Sequence, residues 1–413
     1  MEIIKILVSL SIYIGFFAFA FYLLSFIGKK PKIMKNWTPL VSIIIPVYNE
    51  EECLKKTVES VLSLDYPKNK LEVLIINDGS KDDTEKIGKK LEREFSNVKF
   101  FSKKNGGKGS ALNFGINRSN GKIIVGFDAD SFVRRDALKN MLPYFGDQKV
   151  MCVTPAMKVY HPKGILQRVQ AIEYDLGIFL RRVFANIDSI HVTPGPFSAY
   201  RREFFEKHGG YDEHNITEDM EIAMRIQSLN YKIKNSPSSV IYTIAPTKFL
   251  ALTKQRRRWY YGMIYNLRKY KYIFGKKYGE LGLIILPLAI FSILSVMTIS
   301  IYYFFKVISD NLHSLNLYSL IGFDFVNNFN FKLSSFLMEI YKLFSEEIIF
   351  FGIFFFIFSI CLLLSINRLL NSEENFISIL ISYFFFILFY GILFTFWWII
   401  SIVYFIRGKN VEW

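Results

Sequence analysis

Asp128-Ala129-Asp130 sets two carboxylates around a small residue, directly after the apolar run 122–127. On an extended backbone, side chains two apart share a face, so the pair would present its oxygens together. Hard oxygen ligands of this kind suit magnesium or manganese bridging a diphosphate. Asp-rich turns after strands also occur without any metal, and the tripeptide alone decides neither reading. Asp78 ends a second apolar run in Asn77-Asp78-Gly79-Ser80. It reads either as part of a capped Gly turn or as a contact to a nucleoside, whereas turn and cap chemistry suffice for Ser80, Asp82 and Asp83. Asn105-Gly106-Gly107-Lys108-Gly109-Ser110 opens a helical segment without the Gly-x4-Gly-Lys-Ser/Thr spacing of a Walker loop. Glycines before a helix N-terminus can still bring backbone N–H groups and Lys108 to a phosphate. Thr217-Glu218-Asp219 begins a further helical pattern. Either its acids stabilise the helix dipole by about 0.3–1 kcal/mol behind a Thr217 N-cap, or Asp219 is a general base held near a hydroxyl. The histidines form no metal-ligand pair. Cys53, Cys152 and Cys361 lie far apart without CxxC spacing, which argues against disulfides and zinc and fits a reducing compartment.

These residues need elements to hold them at one place. Strand and helix signals alternate: strands at 41–46, 71–76, 98–101 and 122–127, helices at 51–64, 84–95 and 110–118. This rhythm predicts parallel strands with helical crossovers. Ligands bind beyond the carboxyl ends of such strands, and the polar residues at 46–50, 77–83 and 128–130 all fall at strand ends, along one rim. Two further segments, 165–184 and 249–272, carry apolar residues at helical spacing with Arg168, Arg181, Arg182 and the 255–258 cluster among them. Basic amphipathic helices rich in aromatics favour a membrane interface; packing against the α/β domain is the alternative.

The composition separates the chain into an apolar part and a charged part. Of 413 residues, 51% are hydrophobic and 21% charged, and the formal net charge is +15. Disordered, collagen-like and small disulfide-framed classes are excluded. The basic excess serves membrane topology and phosphate binding rather than nucleic acid. Charge-free apolar runs at 6–28, 281–305, 348–367 and 376–406 each reach the roughly 20 residues that a spanning helix needs. The first is too long for a signal-peptide core, and Lys29, Lys30, Lys32 and Lys35 after it mark the cytoplasmic side. Residues 29–280 are thus expected inside. The end at Arg407 and Lys409 then falls outside, against the positive-inside rule, unless an interfacial segment within 306–347 restores it.

Taken in order, the segments resemble the membrane-integrated family 2 glycosyltransferases, which include cellulose, chitin, hyaluronan and poly-N-acetylglucosamine synthases. The motifs are Ile-Pro-Val-Tyr48-Asn-Glu50, Asn-Asp78-Gly-Ser, Gly-Gly-Lys108-Gly-Ser-Ala-Leu-Asn113, Asp128-Ala-Asp130, Gly195-Pro-Phe-Ser198, Thr217-Glu218-Asp219 and Gln255-Arg-Arg-Arg258-Trp259. Each is modest; seven in order between apolar runs are specific. The resemblance implies a GT-A (Rossmann-like) α/β domain with amphipathic interface helices and an α-helical bundle of about four spans. It implies an inverting transfer from a nucleotide-diphospho-sugar, a UDP-sugar, extending a β-linked polysaccharide. Pro46, Tyr48, Glu50 and Asp78 would hold the nucleoside, and Lys108 the phosphates. Asp128 and Asp130 would hold Mg2+ or Mn2+ with the diphosphate. Asp219 would deprotonate the acceptor hydroxyl, beside Glu218. Gly195 and Ser198 would line the acceptor site, and Gln255, Arg258 and Trp259 would close over donor and acceptor.

This reading divides the chain into an N-terminal helix and its basic flank (1–35), a GT-A domain (36–247, with an interface helix at 163–186), an interface helix with the Gln255 motif (248–276) and a C-terminal apolar region (277–413). The expected partners are a nucleotide-sugar, a glycan or lipid-linked acceptor and the bilayer, with no nucleic acid, at the cytoplasmic face of the plasma membrane. Two other readings stand beside it: transfer of one sugar to a lipid phosphate or lipid-linked glycan, and a non-enzymatic nucleotide-binding membrane protein. Four spans are few for a channel that exports a polymer, and few spans with basic surface helices are compatible with the first of these.

Overall fold

A computed structural model describes residues 2–26, 34, 37–320, 353, 356–361, 364 and 376–408. One eight-stranded sheet forms its centre, in the order β3-β2-β1-β4-β7-β6-β8-β5. The first half is the parallel part read from the alternating signals: β1 (Val41–Val47), β2 (Leu71–Asn77), β3 (Val98–Ser102) and β4 (Ile123–Gly126). The crossover helices are α2 (Leu54–Leu62), α3 (Thr84–Glu94) and α4 (Lys108–Arg118). They form because Leu54, Val58 and Val61, or Gly88 and Leu91, recur on one helical face and bury it. Gly88 lies against the Phe100 ring and Gly115 against Ile44, where any larger residue would overlap. The strands are buried on both faces, as a covered parallel sheet requires.

The second half, for which the sequence gives no strand direction, is mixed. β7 (Ser198–Arg201) runs antiparallel to β4 and to β6 (Val150–Val159). β8 (Lys232–Thr243) pairs parallel with β6, and β5 (Ser131–Val133) pairs antiparallel with β8. The β6–β8 register jumps from Pro155↔Ser236 to Ala156↔Val240. The bulge places Pro237 outside the ladder, which is how a Pro-containing segment can be a central strand. α5 (Ala137–Met141) covers β8, and α7 (Arg202–His208) and α8 (Glu218–Ser228) follow β7.

Three helices among the described residues contain stretches long and apolar enough to cross a membrane, at Ile6–Phe26, Leu281–Lys306 and Phe389–Ile406. They belong to α1 (Glu2–Phe26), to α10 (Leu286–Leu320) with the π-turn Leu281–Ile285 before it, and to α11 (Phe376–Ile406). The helix expected to end at 305 runs on through Leu320, because Lys306 to Leu320 contains no helix breaker. The expected span 348–367, the lysines at 29–35, residues 321–347 and Lys409 lie wholly or largely outside the described residues.

α6 (Gly164–Asn186) and α9 (Phe249–Lys269) lie between the sheet and these apolar helices. Gln167 and Gln170 of α6 donate to the Ala245 and Pro246 carbonyls at 2.7 and 2.9 Å. On its other side Arg182 stacks on Phe26 of α1, and Ile172 packs with Ile379 and Tyr383 of α11. Tyr260 of α9 stacks on Trp398 at 4.7 Å. Both helices therefore have protein on two sides. Arg256, read from sequence as part of a basic surface cluster, is fully buried: it pairs with Glu173 of α6 at 2.6 Å and sits 4.1 Å above the Trp259 ring.

Candidate active site

The rim at the carboxyl ends of β1, β2 and β4 is built from loops that hydrogen-bond to one another. The Asn49 and Glu50 N–H groups donate to Ser80 Oγ and Thr84 Oγ1, and the Lys81 N–H returns to Asn49 Oδ1. Asn49 takes a φ of 55°, a conformation Asn tolerates better than most residues. Tyr48 is exposed at the tip, while Pro46 remains in β1.

Asp78 is buried in this rim, and its carboxylate organises the glycine loop. It accepts from Lys103 Nζ at 2.7 Å, from the Gly106 N–H at 3.0 Å and from the Gly107 N–H at 2.7 Å. The glycine N–H groups, which the sequence would have aimed at a phosphate, are thus turned onto Asp78. A carboxylate satisfies two adjacent amides better than solvent can, and Gly107 reaches the required φ of 86° without strain. Lys103, which carried no motif, is the cation of this arrangement.

That anchor fixes the start of α4 and with it Lys108. Lys108 Nζ lies 2.6 Å from Asp128 Oδ1 and 3.2 Å from Glu218 Oε1. Burial disfavours its charge, but Asp128 and Glu218 outweigh burial and hold the ammonium well above the usual lysine range. A methyl group at Gly195 would come within 2.7 Å of Lys108 Nζ and 3.3 Å of Asp128 Oδ2, so glycine leaves this corner open. Ser198 differs from the acceptor-lining expectation: it is 1% exposed and its hydroxyl donates to the Pro194 carbonyl at 2.6 Å. As the first residue of β7 it shapes the loop from inside.

Asp128 and Asp130 sit on a turn rather than an extended strand, closed by the Ser131 N–H on the Asp128 carbonyl and by Thr57 Oγ1 on the Ala129 carbonyl. The two carboxylates still influence each other. Burial, then the Asp128 charge, raises Asp130 to about 6. Glu50 is raised to about 7 by burial and by the same two aspartates. Asp219 at the start of α8 is raised to about 7, first by burial and then by Glu218, against the opposing charges of Lys108 and Arg258. The carboxylates of Glu50, Asp130 and Asp219 thus outweigh the cations near them. Hard-oxygen donors with surplus negative charge suit a divalent ion that takes its remaining ligands from a diphosphate; among the described residues no three such side chains form a closed cage.

Asp219 is placed by α8 and by two neighbours that sequence reading missed. Thr193 Oγ1 donates to its carbonyl at 2.7 Å and in turn accepts from Tyr200 at 2.9 Å. Thr217 occupies the N-cap position, but its hydroxyl makes no capping bond. It meets α9 instead: Asn266 donates to it at 3.0 Å, and Gly262 packs so closely that a side chain there would overlap Thr217. An isolated Gly within a helical pattern was the one available signal. Gln255, Arg258 and Trp259 lie on the preceding turns of α9. Arg258 is close enough to act on Asp219, whereas one face of the Trp259 ring is covered by Arg256.

Residues 42–209 match the family model of glycosyl transferase family 2. The chain is 32% identical over 252 residues to "Probable glycosyltransferase YdaM" of Bacillus subtilis (strain 168), covering 58% of this chain and 59% of that protein. It is 30% identical over 238 residues to the poly-beta-1,6-N-acetyl-D-glucosamine synthase of Staphylococcus aureus (strain COL), covering 57% of each. The chain thus spans somewhat over half the length of these curated relatives. A mannosyltransferase from Pyrobaculum calidifontis, solved with GDP-Man and Mn2+, has the same fold with a TM-score of 0.60 at 18% identity, over 98% of this chain and all of that one.

Proposed function

We propose that this chain, whose residues 42–209 match the family model of glycosyl transferase family 2, is an inverting sugar transferase. It uses a nucleotide-diphospho-sugar, a UDP-sugar, to extend a β-linked polysaccharide at the cytoplasmic membrane face. One observation carries the reading: Lys108 gathers Asp128 and Glu218 at 2.6 and 3.2 Å, joining three distant rim segments beside Asp219. In the reaction, the acceptor oxygen forms a bond to the anomeric carbon as the bond from that carbon to the diphosphate oxygen breaks. The electron pair leaves with the nucleoside diphosphate, and Asp219 takes the hydroxyl proton. A carboxyl near 7 has both the proton affinity and the ionised fraction for this at neutral pH. Lys108 and Arg258 stabilise charge on the departing diphosphate. Asp128 and Asp130 would hold Mg2+ or Mn2+, which supplies further positive charge to that leaving group. No residue is needed as a covalent nucleophile.

A second reading, transfer of one sugar to a lipid phosphate, is compatible with the three long apolar helices among the described residues. Incubating the purified chain in lipid with labelled UDP- and GDP-sugars and Mn2+, and sizing the product, separates the two. A large polymer is expected; a single lipid-soluble glycoside would establish the second reading, and no incorporation from any donor would contradict both.

A further inference from the structure

The helix that carries Glu218 and Asp219 is joined to α9 through a buried seam that the chemistry above does not use. Asn215, Thr217 and Asn266 are 4%, 5% and 0% exposed. Asn215 donates its amide to Asn266 Oδ1 at 2.8 Å, and Asn266 donates to Thr217 Oγ1 at 3.0 Å. The Thr217 N–H closes the set on Asn215 Oδ1 at 3.1 Å. Polar groups buried this completely are costly unless all are satisfied, so their geometry is strongly specified. Gly262 permits the contact, and Arg258, Gly262 and Asn266 follow at four-residue spacing along one face of α9. At the far end of the seam, Glu221 of α8 accepts from Lys269 at 3.0 Å and from Tyr270 at 2.6 Å, and from Arg225 at 3.1 Å.

We propose that Asn266, acting through Thr217, is a positioning residue that fixes Asp219 relative to Arg258, so that α8 and the second half of α9 move as one body. The Thr217 carbonyl accepts the Met220 and Glu221 N–H groups at 3.1 and 3.0 Å, so displacing Thr217 unravels the turn that carries Asp219. The chain from Asn266 to Thr217 to the first turn of α8 is continuous and buried. Its kinetic consequence rests on the proposed transferase activity; its structural consequence does not.

The test uses the full chain in lipid nanodiscs, with Asn266→Leu and Thr217→Val to remove the bond and Thr217→Ser to retain the hydroxyl. Amide hydrogen exchange over 218–222 should accelerate in the first two, with β1–β4 peptides unchanged as the control for folding. Turnover with the nucleotide-sugar should fall by about 100-fold, as for a reacting group displaced by about 1 Å. KM for that donor should stay within about twofold, because the rim loops and the Asp128–Asp130 turn are untouched. Thr217→Ser should keep exchange and turnover near wild type. Unchanged exchange at 218–222 in Asn266→Leu, or full turnover in either disrupting variant, overturns the proposal. If the wild-type chain transfers nothing from any donor, the functional reading fails and the exchange result alone decides the seam.

Discussion

If Asp219 is the base, the rate of transfer should follow its ionisation, with a direction set by the charges around it. Burial and Glu218 hold the carboxyl at about 7, against Lys108 and Arg258. A general base works only when deprotonated, so kcat/KM should rise tenfold per pH unit up to about 7 and level above it. At pH 5, two units lower, about 1% of the base is ionised, which corresponds to a 100-fold loss or about 2.7 kcal/mol. Glu218→Gln removes a charge that raises the carboxyl, so the acid limb should move to lower pH. Arg258→Gln removes a charge that lowers it, and the limb should move to higher pH. Initial rates of nucleoside diphosphate release from pH 5 to 8.5, in nanodiscs at fixed Mn2+, give all three profiles. A profile flat from pH 5 to 8, or a limb that neither variant moves, refutes the assignment of Asp219 as base.

Three further outcomes follow from the same geometry. Asp130→Asn should weaken Mn2+-dependent nucleotide binding by roughly tenfold or more, read by calorimetry, because it removes one of the two carboxylates offered to the cation. Asp78→Ala leaves Lys103 and the Gly106 and Gly107 N–H groups without their acceptor, and should destabilise the domain by about 3–5 kcal/mol in denaturant unfolding; a loss below about 1 kcal/mol would mean that the loop stands without it. Glu50, Asp130 and Asp219 are all raised in the folded state, so each binds more protons folded than unfolded between about pH 4 and 7. Their contribution to stability is present below pH 4 and is lost as pH rises towards 7. Mn2+ should therefore raise the unfolding temperature more at pH 7 than at pH 5, and an equal shift at both would contradict the carboxylate cluster.

The parallel half of the fold was legible because its physics is local. Leu54, Val58 and Val61 fall on one face of a helix, and the apolar strands end in polar turns, so the rim emerges from spacing alone. The other half was not legible. β7 has four residues, and β8 contains a proline that only a bulge makes tolerable. The candidate residues were found, but several of their roles depend on who lies opposite. Asp78 is read from sequence as a turn residue or a nucleoside contact, and only the fold shows the Gly106 and Gly107 N–H groups on its carboxylate. Arg256 sits in a basic run like its neighbours, and only the fold places it over the Trp259 ring and against Glu173. Asn266 carries no motif; a buried amide is defined by tertiary partners 49 and 51 residues away.

The most direct test of the account is a comparison of wild type and Asp219→Asn in one preparation, measuring nucleotide-sugar binding and sugar transfer side by side. The variant should bind the donor with near-wild-type affinity in the presence of Mn2+ while transfer falls by at least about 1,000-fold. Transfer at the wild-type rate with Asn at this position would contradict it.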